Sequence, residues 1–162
     1  MGYGRTLSAV SALVALAIAG PAYPSARITG LTDVNFGIIN SALDQSSSQS
    51  VCIYSVKGNG NQEVGYSVQA TGDGVGGAFS LASGSQNLPY EVRWSDAANQ
   101  TSGIQLTAGT LVSGFANSSD SQTCFSGSQE NASLTITVRG TQIAAATAGN
   151  YSGVLQVTIV PE

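Results

Sequence analysis

The chain has 162 residues, of which 9% are charged, with no histidine and a formal net charge of −4. This length suffices for one domain with a single hydrophobic core. Nucleic-acid-binding proteins need clustered Lys and Arg to replace phosphate counterions, and the few basic residues here are scattered singly, so the composition excludes that class. The 20 glycines and the many Ser, Thr and Asn residues favour strands and turns over helices.

The N-terminal stretch has the pattern of a secretory signal. Arg5 provides a short positive region, and residues 7–20 form an uncharged run rich in Ala, Leu, Val and Ile. Small residues follow, with cleavage expected after Ala22 or Ala26. The alternative is a membrane anchor, but the run is shorter than the roughly 20 apolar residues that span a bilayer. We therefore predict a signal peptide over residues 1–26 and an exported domain over residues 27–162.

The two cysteines are interpreted in the light of export. Oxidising compartments favour a structural disulfide, which we predict between Cys52 and Cys124. Free or metal-binding thiols are the alternative, disfavoured because the chain has no histidine and the two sulfurs are far apart in sequence. We expect no metal and no cofactor.

From Ile28 onward, short runs of alternating apolar and polar residues are separated by Gly, Asn and Ser turns. A single helical turn is predicted over residues 143–148. The number and spacing of the runs indicate a β-sandwich, with a closed barrel as the second choice. The predicted strands are 28–38, 49–56, 64–70, 79–81, 88–94, 104–106, 110–115, 132–139 and 151–159.

One glycine-rich segment matches a nucleotide-binding pattern. Gly72, Gly74 and Gly77 have the spacing G-x-G-x-x-G. The dinucleotide fingerprint requires a strand before that motif and a helix after it. Here more strand follows, so we interpret the segment as a loop.

The residue types needed for common catalytic mechanisms are scarce. Without histidine, no Ser/His/Asp or Cys/His nucleophile system can form. The carboxylate pairs Glu91 with Asp96, or Asp73 with Glu63, could in principle flank a glycoside. Single acidic residues on strands and turns are more often solvated surface. We predict that the chain is not an enzyme.

A free secreted carbohydrate-binding domain is the alternative function. Trp94 and Tyr90, with the polar loops, could form its binding face. However, Trp94 shares its strand parity with Leu88 and Val92, which favours a place in the core.

Three stretches carry a resemblance to a known family. They are residues 28–37 (ITGLTDVNFG), 88–96 (LPYEVRWSD) and 148–162 (AGNYSGVLQVTIVPE). The chain resembles the spore coat protein U (SCPU) domain family, which includes Csu-type archaic chaperone–usher pilus subunits of Gram-negative bacteria. The resemblance spans essentially the whole exported domain.

This resemblance implies an incomplete immunoglobulin-like β-sandwich that lacks its last strand. An apolar final strand would then border a groove with unpaired backbone groups and apolar pockets. A periplasmic chaperone would lend a strand to this groove, and a neighbouring pilus subunit would later replace it, by β-augmentation. We expect Phe36, Leu155, Val157 and Ile159 to line the groove.

The resemblance also implies where the protein acts. It predicts a structural or adhesive subunit exported to the periplasm and built through an outer-membrane usher into a cell-surface fibre, where it could bind a receptor or glycan. Polymerising subunits carry a donor segment before their first strand. Here only about five residues, 23–27, precede Ile28, too few to fill a groove at about 3.3 Å per residue. We therefore expect a subunit that accepts a strand but gives none, at a fibre tip. The alternative is a minor or shaft subunit whose run from Ile28 to Phe36 is itself the donor.

Overall fold

The computed structural model describes residues 23–39, 42–58, 62–122, 124 and 130–162; residues 1–22 of the predicted signal peptide 1–26 lie outside them. Within the described residues the chain forms eleven strands and one short helix. In chain order they are β1 (Ser25–Thr29), β2 (Gln45–Lys57), β3 (Gln62–Glu63), β4 (Tyr66–Gly72), β5 (Ser80–Ser83), β6 (Gln86–Pro89), β7 (Glu91–Ser95), β8 (Ile104–Gln105), β9 (Val112–Phe115), β10 (Ala132–Val138), α1 (Gly140–Ala145) and β11 (Leu155–Pro161).

The strands form two main antiparallel sheets. The larger sheet has the order β1-β2-β10-β7-β8, with β3 also paired to β2. The smaller sheet has the order β11-β4-β9, and β5 and β6 form a separate hairpin. Apolar side chains of both main sheets meet in one core, which includes Val51 and Ile53 of β2, Tyr66 and Val68 of β4, and Trp94 of β7. The predicted all-β sandwich is therefore confirmed.

The second strand lies inside the larger sheet, as its sequence predicts. Residues 45–51 of β2 pair with β10, and residues 52–56 pair with β1. Residues 51–56 are all buried, because both faces of this part of β2 are packed. The predicted disulfide between Cys52 and Cys124 is confirmed, with a Cα–Cα distance of 5.8 Å. It ties β2 to the segment that precedes β10.

The first predicted strand is wrong beyond Thr29. The pattern predicts a strand over residues 28–38, but residues 30–39 are irregular. Gly30 has φ of +90°, a left-handed conformation that interrupts the ladder with β2. Beyond it, the side-chain amide of Gln49 bonds to the backbone of Thr32: the Thr32 N–H donates to Gln49 Oε1 at 2.8 Å. A side chain thus replaces the expected strand partner.

Two other boundaries differ from the prediction. The run over residues 88–94 forms two strands because its pairing partner changes. β6 pairs with β5, and the bond from the Tyr90 N–H to the Phe79 carbonyl extends that ladder, whereas β7 pairs with β10. The helical turn predicted over residues 143–148 occurs earlier, as α1. It begins after Arg139, whose carbonyl accepts the N–H groups of Gln142 and Ile143.

Candidate functional site

The sandwich is closed along one side and open along the other. On the closed side, the chain passes from β8 to β9. The N–H of Leu106 donates to Val92 of the larger sheet, and the N–H of Gly109 donates to Ala70 of the smaller sheet. On the other side, β1 ends the larger sheet and β11 ends the smaller one. We call the strip between β1 and β11 the open side.

The two strands that border the open side are close but unpaired. They approach within 8 Å, Cα to Cα. No backbone ladder joins them among the described residues, and each pairs with one neighbour: β1 with β2, and β11 with β4. The open side therefore has a free strand edge on each flank.

The final strand presents an apolar row to the inside of the sandwich. Leu155, Val157 and Ile159 are half-buried and pack against the core, whereas Gln156 and Thr158 between them are exposed. Because β11 is an edge strand, its backbone is paired on one flank only, with β4. The position agrees with the groove that the resemblance implies.

The other predicted groove residue comes from the irregular segment after β1. Phe36 is half-buried and packs against the same core, as does Ile28 of β1. Ile28 is not among the groove residues predicted from the sequence. It lies two residues after Ala26, and this spacing places both side chains on the same face of a strand. The role of Phe36 and of the inner row of β11 in binding a partner stays a prediction.

Glu162 holds β11 in place. Its N–H donates to the carbonyl of Gly65 at 2.9 Å, and its Oε1 accepts the hydroxyl of Ser67 at 2.6 Å and the N–H of Gly114 at 3.0 Å. The hydrogen bond from Ser67, and then the one from Gly114, hold the pKa of the Glu162 carboxyl below its ordinary value. One side chain thus links all three strands of the smaller sheet, which fixes that wall of the open side.

Glu91, one of the candidate catalytic carboxylates, belongs to an ion cluster. Arg139 donates from Nε to Glu91 Oε1 at 2.8 Å and from an Nη to Oε2 at 2.6 Å. Its other Nη donates to Asp44 at 2.7 Å. The hydrogen bonds of Arg139 lower the pKa of Glu91, so this carboxylate stays ionised rather than serving as a general acid.

Asp96, the other member of that pair, is a structural acceptor. It accepts the hydroxyl of Tyr66 at 2.8 Å and the N–H groups of Ala116 at 2.8 Å and Asn117 at 3.0 Å. These contacts fix the chain that follows β9. Both carboxylates of the pair are thus occupied by contacts within the protein.

Trp94 and Tyr90, which the alternative hypothesis places on a carbohydrate-binding face, lie in the core. Trp94 is fully buried, and its indole N–H donates to the hydroxyl of Tyr66 at 3.3 Å. The ring of Tyr90 stacks on Phe79 at a centroid distance of 5.7 Å, and burial raises its pKa to about 12. The prediction that Trp94 belongs to the core is confirmed. Neither ring offers an exposed face to a sugar.

The glycine-rich segment has no nucleotide-binding geometry, because β5 rather than a helix follows it. The glycine-rich segment forms a short 3₁₀ turn, Val75–Gly77, between β4 and β5, so its interpretation as a loop is confirmed. Over residues 23–39, 42–58, 62–122, 124 and 130–162, no three acidic or cysteine side chains gather as metal ligands. Within the same ranges, no helix is long and apolar enough to cross a bilayer.

Comparison with known proteins shows a likeness of fold. No family model matches the chain, and no curated protein matches it. The fold is similar to a chain in a solved structure described as a chaperone–tip adhesin complex vital for synergistic activation of CFA/I fimbriae biogenesis. The TM-score is 0.53 at 17% identity, over 86% of this chain and 42% of that one. The chain thus spans less than half the length of this neighbour, with which it shares a fold.

Proposed function

We propose that the protein is a structural or adhesive subunit of a surface fibre and that its open side accepts a β-strand from another polypeptide. The observation that carries the proposal is the pair of unpaired strand edges at β1 and β11 beside a half-buried apolar row. Natural sheets shorten, charge or cover such edges. β11 is seven residues long and carries no charged side chain. A strand added by a partner would cover it. Because paired strands lie about 4.8 Å apart and β1 approaches β11 within 8 Å, β1 must move outward when that strand binds.

The partners follow from two sources. The resemblance to the SCPU family implies a periplasmic chaperone, an outer-membrane usher and neighbouring pilus subunits. The fold likeness to a chain from a chaperone–tip adhesin complex supports the first of these. We therefore propose that a chaperone strand occupies the open side in the periplasm of a Gram-negative bacterium, and that a subunit strand replaces it in the fibre.

We further propose that the protein is not an enzyme. The support is chemical: the chain has no histidine, and the carboxylates of Glu91 and Asp96 are already engaged by Arg139 and by Tyr66 with backbone amides. Substrate groups would have to displace these contacts.

A fused strand tests strand acceptance. A strand alternating valine and threonine, as long as β11, is attached after Glu162 through a flexible turn. Burying three valines should raise the free energy of unfolding by about 3–6 kcal/mol and the melting temperature by at least about 5 °C. The matched control exchanges the valine and threonine positions, so that threonines face the core. An equally stable monomer with and without the valine strand would contradict the proposal.

The fibre role needs a separate observation. Antibodies raised against the purified domain should label filaments on the surface of the producing cells in electron micrographs. Label confined to free secreted monomer would contradict a fibre subunit.

A further inference from the structure

Alternate residues of β11 direct their backbone N–H and carbonyl groups to the open side. One hydrogen bond identifies which residues these are. The N–H of Glu162 donates to the carbonyl of Gly65 at 2.9 Å, in the same antiparallel register that pairs Pro161 with Tyr66. Hydrogen-bonded and non-hydrogen-bonded pairs alternate along an antiparallel ladder. Val160, Thr158 and Gln156 therefore bond towards β4, whereas Leu155, Val157 and Ile159 direct their N–H and carbonyl groups to the free edge.

Pro161 alternates with Val160 and therefore also directs its backbone groups to the free edge. A proline has no N–H, but because this position does not bond to β4, the ladder between β11 and β4 loses no hydrogen bond. Towards the open side the consequence is different. Pro161 offers only a carbonyl, so the last complete pair of backbone groups on the free edge belongs to Ile159.

The opposite end of the edge is bounded by the β5–β6 hairpin. Ser152 and Ala82 exchange two backbone hydrogen bonds, at 2.7 and 3.0 Å. A side chain at Gly153 would lie 2.9 Å from the carbonyl oxygen of Ser80 and 3.2 Å from Cδ2 of Leu81. The inner face beside Gly153 is thus already filled by the hairpin, and the strand β11 begins at Leu155. The part of the edge that combines free backbone groups with inward apolar side chains therefore extends from Leu155 to Ile159.

The first strand has the same arrangement on the opposite flank. Ile53 and Ser55 of β2 bond to Ser119, away from β1. The intervening residues of β2 therefore bond to Ser25, Arg27 and Thr29 in the register of the β1–β2 pair. Ala26 and Ile28 remain with their backbone groups on the open side, so two residues of β1 face three of β11.

We infer that the open side takes a strand in one fixed register, with its complete hydrogen-bonded pairs at Leu155, Val157 and Ile159 and its ladder ending at Pro161. The inference rests on the proposed strand acceptance and specifies the partner: an extended segment with apolar residues at three alternate positions. The same three residues of β11 supply both the backbone groups and the inner apolar row. A strand shifted by one residue would turn its apolar side chains to solvent.

Pro161→Val tests the register by adding one N–H to the free edge. Two synthetic peptides alternating valine and threonine serve as probes: a short one with three inward valines and a long one with a fourth opposite residue 161. The long peptide should bind the variant about 2- to 10-fold more tightly than the natural chain, because one hydrogen bond is gained. The short peptide should bind both chains equally. Thr158→Val is the matched control, since its N–H already bonds towards β4, and it should change neither affinity.

The outcomes separate the two proposals. If neither peptide binds the natural chain, strand acceptance at the open side fails. If both bind, but Pro161→Val tightens both equally or neither, strand acceptance stands and the register is wrong. Should Pro161→Val fold poorly, the natural chain decides the matter: chemical-shift changes on binding the long peptide must centre on the amides of Leu155, Val157 and Ile159, and changes centred elsewhere overturn the inference.

Discussion

Asn131→Ala should lower the free energy of unfolding by about 2–4 kcal/mol. Asn131 is only 8% exposed, and its side chain acts as a substitute strand partner for β2. Its Oδ1 accepts the N–H of Ile53 at 2.8 Å, and its Nδ2 donates to the Ile53 carbonyl at 2.9 Å. In the variant that carbonyl keeps the N–H of Ser119 as a donor, at 2.9 Å, whereas the N–H of Ile53 has no other partner among the described residues.

The magnitude follows from these contacts. A buried N–H left unsatisfied costs about 1–3 kcal/mol, and the second lost hydrogen bond adds about 1 kcal/mol. Urea denaturation of the oxidised protein, followed by the fluorescence of Trp94, measures the change by linear extrapolation. Asn150→Ala is the matched control: Asn150 is exposed, and its replacement should change stability by less than about 0.5 kcal/mol. A loss below about 1 kcal/mol for Asn131→Ala would refute the assigned role.

Three further predictions concern the disulfide, the ion cluster and the buried tryptophan. Reducing the Cys52–Cys124 bond, which joins residues 72 apart, should lower stability by about 4 kcal/mol; an unchanged urea midpoint in reductant would contradict this. The folded pKa of Glu91 is lowered by Arg139, so its stabilising contribution is present above the ordinary carboxyl pKa and is lost as the pH falls through the folded value. Glu91→Gln should therefore flatten the loss of stability with pH below about 4.5; an equally steep loss would show that this ion pair contributes nothing. Trp94 should emit at short wavelength, resist acrylamide quenching and not respond to added saccharides; strong quenching would contradict its burial.

The sequence predicts the regular strands well because their side chains alternate between two different environments. A clear case is β7, where Val92 and Trp94 are buried in the core whereas Arg93 between them is partly exposed. The disulfide was likewise predictable, since export and a single pair of cysteines leave one pairing. The alternation in β11 predicts its inner row and, through it, the apolar wall of the open side.

The failures have a common cause in tertiary contacts that a pattern does not carry. Val34 and Phe36 keep the strand alternation, yet Gly30 turns the chain out of the ladder and the amide of Gln49 binds Thr32 in place of a strand. The predicted strand over residues 88–94 divides at Tyr90 because the residues before it pair with β5 and those after it pair with β10. Long-range hydrogen bonds of this kind override a local preference.

The direction of the backbone groups on β11 is also outside what the pattern predicts. The alternation identifies which side chains face inward, but the register with β4 decides which N–H groups face the open side. The hydrogen bond between Glu162 and Gly65 identifies that register. It shows that the missing N–H of Pro161 lies on the free edge, which the sequence alone does not indicate.

The two predicted cleavage sites have different structural consequences. Cleavage after Ala22 leaves β1 whole, whereas cleavage after Ala26 removes Ser25 and Ala26, which pair with Val56 and Ser55. The larger sheet would then keep a three-residue edge strand beside the open side. Mass spectrometry of the exported protein distinguishes the two.

Amide hydrogen exchange along β11 tests the central claim most directly. The account predicts fast exchange at Leu155, Val157 and Ile159 in the chain without a partner, because their N–H groups face an unpaired edge, and slow exchange at Gln156 and Thr158. Adding the alternating peptide should slow the first three amides and leave the other two unchanged. Amides of Leu155, Val157 and Ile159 that are already protected without a partner, or that stay unprotected with bound peptide, would contradict a strand-accepting open side.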